Sequence, residues 1–267
     1  MPEGLEAEIY RRSAESILGR VVREVRVDER QPMAAELMAI LPGRRFTTAR
    51  RRGKLVLLDT SVDDRPDVTL GLHFGMTGRL VVDGEAAIER LEYASDRDDA
   101  AWDRLVVVLD GGSVVRVNDP RRWARFTVDP DEARLGPDFL SVDAEELAAR
   151  LVGRRAALKS LLLDQAIVAG FGNLCVDEVL WQAGLSPHMP GGALDADAIE
   201  RLVAEMRRHL PAMLERGGSH RGTIDPEVRA SMTPCPRDGT RLRREPIGGR
   251  TTVWCPAHQL AAAPPAR

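Results

Sequence analysis

The first eight residues, Met1-Pro2-Glu3-Gly4-Leu5-Glu6-Ala7-Glu8, put a proline and three carboxylates at one end of the chain. Removal of Met1, favoured by the small Pro2 side chain, would convert the Pro2 nitrogen into a secondary amine. Such an amine can attack a sugar carbon and form a cationic iminium, which a proline inside the chain cannot do. Glu3 would stand beside it as proton donor and acceptor. Glu6, one helical turn later on the same face, could position water or the amine. The same residues also have a purely structural use. Proline suits the first position of a helix, and glutamates in the first turn answer the helix dipole.

The other end of the chain holds a second set of chemistry-bearing residues. Cys235-x2-Asp238-x16-Cys255-x2-His258 has the spacing of metal ligands, and all four types are competent zinc donors. A carboxylate is a harder, weaker partner for a thiolate site. The competing expectation is that Asp238 only caps the knuckle while water or another side chain completes the shell.

These groups need elements to hold them. A helix is predicted from Pro2 to about Leu18, with Leu5, Ile9, Ile17 and Leu18 near one face and Gly19 as its stop. Short Val- and Leu-rich strands follow at 21–27, 45–51, 54–59, 68–74, 79–82, 104–109, 114–118 and 124–128, with a second helix at 33–41. Turns such as Asp110-Gly111-Gly112 separate the strands and point to an antiparallel sandwich or flattened barrel. Helical texture then takes over at 143–151, 156–163, 173–183 and 195–215, with Asp143 and Asp195 as N-caps and Gly184 and Gly217 as stops. A small basic hairpin spans 235–258, and the Ala/Pro tail after it is expected to be disordered.

Composition bounds the classes. The 267 residues suffice for one large domain or two ordinary ones, and apolar content is that of a globular protein. No apolar run approaches a bilayer span and no signal-peptide core opens the chain, so a cytoplasmic location is expected. Three cysteines in that setting argue against a disulfide framework. The formal net charge of −3 warns against a careless nucleic-acid claim. Its distribution is more telling: 44–54 (RRFTTARRRGK) carries six cations and no acid, and 237–250 is also mostly basic. A local basic strip beside acidic faces suits a DNA partner; a solvated surface run is the equally frequent cause.

Several motifs agree in order and spacing with one family. PEGLEAE at the start, RRGK at 51–54, LHFGMTGRL at 72–80, NDPRRW at 118–123, LGPDFL at 135–140, LKSLLLDQ at 158–165, VAGFGNLCVDEVLWQAGLSP at 168–187 and the terminal Cys/Cys hairpin form the set. On these motifs the chain resembles the formamidopyrimidine-DNA glycosylase/endonuclease VIII family of bifunctional DNA glycosylases across nearly its whole length. The resemblance implies an α+β protein: an N-terminal antiparallel β-sandwich with a catalytic N-terminal helix, a C-terminal helix-two-turn-helix domain and a zinc-finger-like β-hairpin. The expected boundaries are 1–131 for the catalytic domain, 132–148 for a linker, 149–228 for the helical domain, 229–262 for the hairpin and 263–267 for the tail. It implies removal of a damaged base followed by β,δ-elimination at the abasic site through an N-terminal proline iminium.

Residue by residue, the resemblance makes Pro2 the nucleophile, Glu3 the acid/base and Lys54 a phosphate holder reaching in from the β domain. A solvent-facing lysine in a Gly53 turn is the ordinary alternative. Met76, Arg121 and Trp123 match the residues that fill the gap left by an extruded nucleotide. Arg121 would read the orphaned base and Trp123 would stand where the formamidopyrimidine branch usually carries Phe. Without the family, Met76 and Trp123 could be core residues and Arg121 a surface charge. Asn173, after Gly170-Phe171-Gly172, would grip the phosphate beside the lesion with Arg250 as its partner; its commoner use is as an N-cap. Lys159 is expected to add a phosphate contact, and Glu6 joins the DNA-contacting group. The family's finger has four cysteines, so Asp238 and His258 depart from it. Some relatives keep the hairpin without metal.

The expected partner is double-stranded DNA with a damaged base or abasic site, the expected cofactor one structural zinc ion, and the expected state a monomer. The lesion stays open between 8-oxoguanine, formamidopyrimidine, oxidised pyrimidine and bulkier adducts. Residues 219–234 form a shorter connection than the loop that closes over 8-oxoguanine in the formamidopyrimidine branch. Gly4 resembles the endonuclease VIII branch, Leu5 replaces a proline common to both, and Arg121 with Trp123 resembles the formamidopyrimidine side. The alternative function is a catalytically inactive binder of damaged DNA with the same fold. A zinc hydrolase lacks a clustered His/Glu motif, and a generic basic module leaves the N-terminal motif unused.

Overall fold

The computed structural model describes residues 2–63, 65–88, 91 and 97–260; the expected tail at 263–267 lies outside them. The chain divides into two compact units, 1–132 and 133–267.

The first unit begins with helix α1 (Gly4–Ala14), extended by a single 3-10 turn to Ile17 and stopped by Gly19 at φ 81°. Strands β1 (Val22–Val27), β7 (Asp103–Leu109), β8 (Val114–Asn118), β5 (Arg79–Val82) and the two-residue β6 (Glu85–Ala86) form one sheet in that order. Strands β2 (Arg45–Arg52), β3 (Leu55–Ser61), β4 (Val68–His73) and β9 (Arg125–Val128) form the other. All pairings within both sheets are antiparallel. Helix α2 (Ala34–Ile40) packs on β1.

Alternation along these strands turns Val56, Leu58, Leu70 and Leu72 of one sheet and Leu80, Leu105, Val107 and Val117 of the other into a shared core. Each such side chain contributes roughly 1.5–3 kcal/mol through burial. Helix α1 seals this core with Ala7, Tyr10, Ala14 and Ile17. That face differs from the expected stripe, since Ile9 and Leu18 are only partly buried. Tyr10 decides the orientation: its ring lies 4.4 Å from Phe74, and its hydroxyl donates to the Gly78 carbonyl at 3.1 Å. Helix α1 is thereby fixed on β2, β3 and β5.

The second unit is built on α3 (Ala144–Leu151), α4 (Leu158–Leu163), α5 (Asn173–Ala183), α6 (Ala196–Glu215) and α7 (Pro226–Ser231), followed by the hairpin β10 (Arg243–Ile247) and β11 (Arg250–Trp254). The side chains of Asp143 and Asp195 accept the N–H groups of Glu146 and Ala198 at 2.8 Å, as N-caps do. Gly184 ends α5 in the left-handed conformation. Helix α5 is the hub: nearly every residue from Leu174 to Ala183 is buried, and it packs on α4, α6 and β11. Residues 219–234 are not the plain connection expected. They hold a 3-10 turn and α7, whose N-cap Asp225 accepts the Val228 N–H at 2.8 Å. Among the described residues, no helix is long and apolar enough to cross a membrane.

Candidate functional site

Pro2, Glu3 and Glu6 cluster at the head of α1. Pro2 is buried, and Glu3 and Glu6 are each 1% exposed. The two glutamates form a reciprocal capping box in which the Glu3 N–H donates to Glu6 Oε2 at 2.7 Å. Gly4 and Leu5, between them in sequence, are also buried. Glu8, on the next turn, bonds Arg51 of β2 at 3.2 Å and Arg11 at 2.9 Å. Burial raises the Glu8 carboxyl, but those two guanidiniums outweigh it and hold it below its ordinary value. Arg51 in turn donates to the Gly53 carbonyl at 3.0 Å. Gly53 and Lys54 form the two-residue turn between β2 and β3, with Gly53 at φ 57° as a type II′ hairpin requires. Lys54, half-buried at this turn, is thus tied through Arg51 and Glu8 to the helix that follows Pro2.

The expected basic strip is mostly neutralised within the unit. Arg44 is 2% exposed and donates to the Ile40 and Pro66 carbonyls. Arg45 bonds the Gly19 carbonyl, and Arg50 bridges Asp59 and Glu132 at 2.7 and 3.1 Å. A run of arginines in a strand alternates between faces and finds internal acceptors. The strip as a whole is therefore not an open cationic surface.

Met76, Arg121 and Trp123 stand on two touching loops. Gly75 (φ 59°) lies so close to the Trp123 backbone that a Cβ there would meet it at 2.6 Å. Between the loops sits Asp119, fully buried. Its carboxylate accepts the N–H groups of Arg121 (3.1 Å), Trp123 (2.6 Å) and Ala124 (2.7 Å), and the Thr77 hydroxyl. Trp123 is 50% exposed, so it is no core residue, and the Arg121 guanidinium lies 6.0 Å from its ring. Arg121 is exposed and Met76 half-buried. His73 steadies the same turn by accepting the Gly75 N–H at 3.2 Å. Burial, with Lys54 and Arg125 nearby, holds His73 below its ordinary value, which favours the neutral ring. The sequence reading missed Asp119, Thr77 and His73. An Asp before Pro120 is a turn signal that could have flagged the first.

In the second unit, Gly172 is the N-cap of α5 and Asn173 its first helical residue. The Asn173 Oδ1 is buried without a hydrogen-bond partner. Arg250 is exposed and opens β11, immediately after the Gly248-Gly249 turn, whose residues both have positive φ. Gly248 comes so near α4 that a Cβ would meet Ser160 Oγ at 2.5 Å. Lys159 corrects the expectation of a phosphate contact. It is 0% exposed, its Nζ lies 2.7 Å from Asp177 Oδ1, and it donates to the Thr251 carbonyl at 3.1 Å. A lysine so enclosed has no surface to offer a phosphate.

Cys235, Asp238, Cys255 and His258 converge, with one ligand atom of each within 4.8 Å of the others. His258 Nδ1 is 3.7 Å from Cys235 Sγ and 3.1 Å from Asp238 Oδ2, and Cys255 Sγ is 3.3 Å from the same oxygen. Tetrahedral bonds of about 2.0 Å to N or O and 2.3 Å to S imply ligand separations of about 3.3–3.8 Å. The three separations of 3.1–3.7 Å lie close to that range, and all four atoms stay within 4.8 Å, so the group is compatible with such an ion. The other imidazole nitrogen, Nε2, lies 3.2 Å from the Trp181 carbonyl, and Trp181 Nε1 donates to Cys235 Sγ at 3.4 Å. These contacts orient the donors from behind, as outer-shell groups do. Asp238 both caps and faces the cluster: Oδ1 accepts the Thr240 N–H at 2.8 Å while Oδ2 points to His258 and Cys255. The Thr240 N–H, with His258, holds its carboxyl below the usual range despite an opposing desolvation effect, whereas burial pushes the Cys255 thiol up.

Comparison with known proteins gives the family. The formamidopyrimidine-DNA glycosylase N-terminal domain matches residues 1–126, and the H2TH domain of that glycosylase matches residues 135–225. The chain belongs to the formamidopyrimidine-DNA glycosylase family. Among the relatives, the formamidopyrimidine-DNA glycosylase of Stenotrophomonas maltophilia is 34% identical over 96% of this chain and 98% of its own. That of Cereibacter sphaeroides is 38% identical over 82% and 80%. Among solved structures, the Lactococcus lactis Fpg in complex with DNA containing an abasic site is similar at TM-score 0.78 and 24% identity, covering 96% of this chain and 99% of that one. Another is the same organism's Fpg with DNA containing N7-benzyl-Fapy-dG, at TM-score 0.78 over 97% and 99%. As in this family, sheets form the first unit, an H2TH segment lies in the second, and a two-stranded hairpin carries the Cys/His group.

Proposed function

We propose that this member of the glycosylase family removes a damaged base from duplex DNA and then cleaves the abasic strand, with Pro2 as nucleophile. The observation that carries the reading is the head of α1, where the carboxylates of Glu3 and Glu6 are buried directly after Pro2 in the chain. In the full chain the Pro2 nitrogen is an amide to Met1, so the chemistry requires Met1 removal. The freed amine then bonds C1′ as the glycosidic bond to the base breaks, and the departing base takes up a proton. Glu3 donates a proton to the ring oxygen as the C1′–O4′ bond opens, leaving an iminium on Pro2. The iminium acidifies the C2′ proton. Its loss expels the 3′ phosphate (β-elimination), and a second proton loss expels the 5′ phosphate (δ-elimination). Hydrolysis of the iminium frees Pro2.

The remaining residues hold the substrate. Lys54 lies on a turn braced to α1 and takes a phosphate near the lesion; Asn173 and Arg250 take another. A half-buried Asn at the start of α5, whose Nδ2 can donate to a phosphate oxygen, and an exposed Arg after a tight Gly-Gly turn suit that role. Met76, Arg121 and Trp123, on loops braced by Asp119, fill the gap and meet the orphaned base. Cys235, Asp238, Cys255 and His258 would hold one structural zinc ion, which supplies a cross-link between the two knuckles of the hairpin.

Sodium borohydride should trap a covalent adduct between the processed chain and duplexes bearing a damaged base or abasic site. Pro2→Gly and Glu3→Gln should abolish or cripple trapping. Undiminished adduct in both variants excludes this mechanism. Damage-selective binding by the wild type with neither trapping nor nicking would favour an inactive binder.

A further inference from the structure

Lys159, Asp177 and Arg229 form a buried charge cluster that no step of the proposed chemistry uses. Asp177 Oδ1 lies 2.7 Å from Lys159 Nζ, and its Oδ2 lies 2.5 Å from Arg229 Nη1 and accepts the Val253 N–H at 3.1 Å. Both cations reach a second acceptor in common: Lys159 Nζ and Arg229 Nη2 each donate to the Thr251 carbonyl at 3.1 Å. One carboxylate thus serves two cations in a region at least nine-tenths buried.

Enclosing three charges is expensive, and apolar packing of similar volume commonly holds elements together as well or better. What the cluster adds is direction. Asp177 lies on α5 one turn after Asn173, at i+4 and so on the same face. Thr251 follows Arg250 on β11. The cluster therefore links the helix face below Asn173 to the peptide group just beyond Arg250. Arg229 arrives from α7, within the 219–234 connection. Its planar fork reaches Asp177 through Nη1 and Thr251 through Nη2, so two separate nitrogens hold the two groups at a fixed angle.

The geometry points to Lys159 and Arg229 as positioning residues that fix Asn173 and Arg250 at one spacing, so that both grip the same phosphate. This inference rests on the proposed function, which assigns those two side chains to phosphate. It also gives Lys159 an indirect role in the grip it cannot make itself.

The test is binding of a duplex with a tetrahydrofuran abasic analogue, titrated over a range of salt, with a thermal melt of each protein. Wild type, R250A, R229M, R229K and the double variant R229M/R250A are compared. Losing one phosphate contact lowers the slope of log K against log salt by about 0.9. R250A is expected to show that loss. R229M and R229K are expected to lose a comparable slope, and R229M/R250A to fall no further than R250A. R229K keeps a cation on Asp177 and guards against a folding defect in R229M. A merely structural role would lower melting temperature and leave the slopes of R229M and R229K at the wild-type value; that result overturns the inference. Should R250A itself leave the slope unchanged, or the wild type not bind, the proposed function fails first and the positioning role with it.

Discussion

Replacing Asp119 with Asn tests how the two loops that carry Met76, Arg121 and Trp123 are held. The native carboxylate accepts three backbone N–H groups and the Thr77 hydroxyl, in a site with no exposure. Oδ2 takes Trp123 and Ala124; Oδ1 takes Arg121 and Thr77. Asparagine offers one acceptor oxygen, and its NH2 must face one of the two pairs. With the oxygen in the Oδ2 position, Thr77 can rotate to accept from the amide, but the Arg121 N–H loses its partner. Charge-assisted bonds contribute about 1.5–3 kcal/mol each and an unpaired buried donor costs about 1–3 kcal/mol, so the change should destabilise by about 2–4 kcal/mol. For a unit of this size the melting temperature should drop on the order of 10 °C. Function should suffer in a particular way. The loops carry Met76, Arg121 and Trp123, so preference for an abasic-analogue duplex over an undamaged one should shrink while undamaged binding persists. Differential scanning calorimetry and competition binding read the two effects. Unchanged melting together with undiminished preference would refute the bracing role.

Two further expectations follow from the charges. Hydrogen bonds from Arg50, then burial against them, leave the Asp59 carboxyl at about 2 against an ordinary 3.8. A depressed carboxylate stabilises the fold above its unfolded value, and that stability is lost as pH falls through the folded one. Because Arg50 is 43% and Asp59 26% exposed, solvent screening reduces the contribution to about 1 kcal/mol. D59N should therefore be less stable than the wild type at pH 7 by that amount, with the gap closing between pH 3.8 and about 2; a gap in urea unfolding that is constant over this range would contradict it. At the hairpin, removing zinc with a chelator should lower the melting temperature of the second unit and weaken DNA binding together, and D238C should hold zinc more tightly than the wild type. Normal melting and nicking after verified metal removal would make the ion dispensable.

The elements were legible because period and punctuation agree. Alternating Val and Leu in β7 and β8, the Asp143 and Asp195 caps, and the Gly19 and Gly184 stops each encode a local preference that packing then reinforces. The metal knuckles were legible for the same reason, since ligand spacing is a local property. Partners distant in sequence were not. Nothing local distinguishes Arg44, enclosed beneath Pro66, from Arg250, open to solvent. Lys159 reads as a surface cation until Asp177 and Thr251 are brought to it by folding. Helix α7 escaped notice because six residues give too little periodicity, although Asp225-Pro226 carries the N-cap and N1 signals. The buried α1 stripe is not legible in the pattern because small Ala7 and Ala14 bury as fully as leucine while contributing little to it.

Charge accounting then explains how a chain of net charge −3 could suit a polyanion. A generic basic surface would attract DNA by counterion release in proportion to its cations. Here Arg44, Arg45, Arg50 and Arg51 are occupied by carbonyls and carboxylates of their own unit. Their work is internal: Arg51 joins β2 to α1, and Arg50 clamps Asp59 to Glu132. The proposed function draws instead on cations fixed by turns, among them Arg121 on the Asp119-braced loop and Arg250 after Gly248-Gly249. Such an arrangement trades bulk attraction for placement. An enzyme that must distinguish one distorted nucleotide from a vast excess of intact duplex gains by that trade, because nonspecific affinity rises with every free cation and selectivity rises only with those in register.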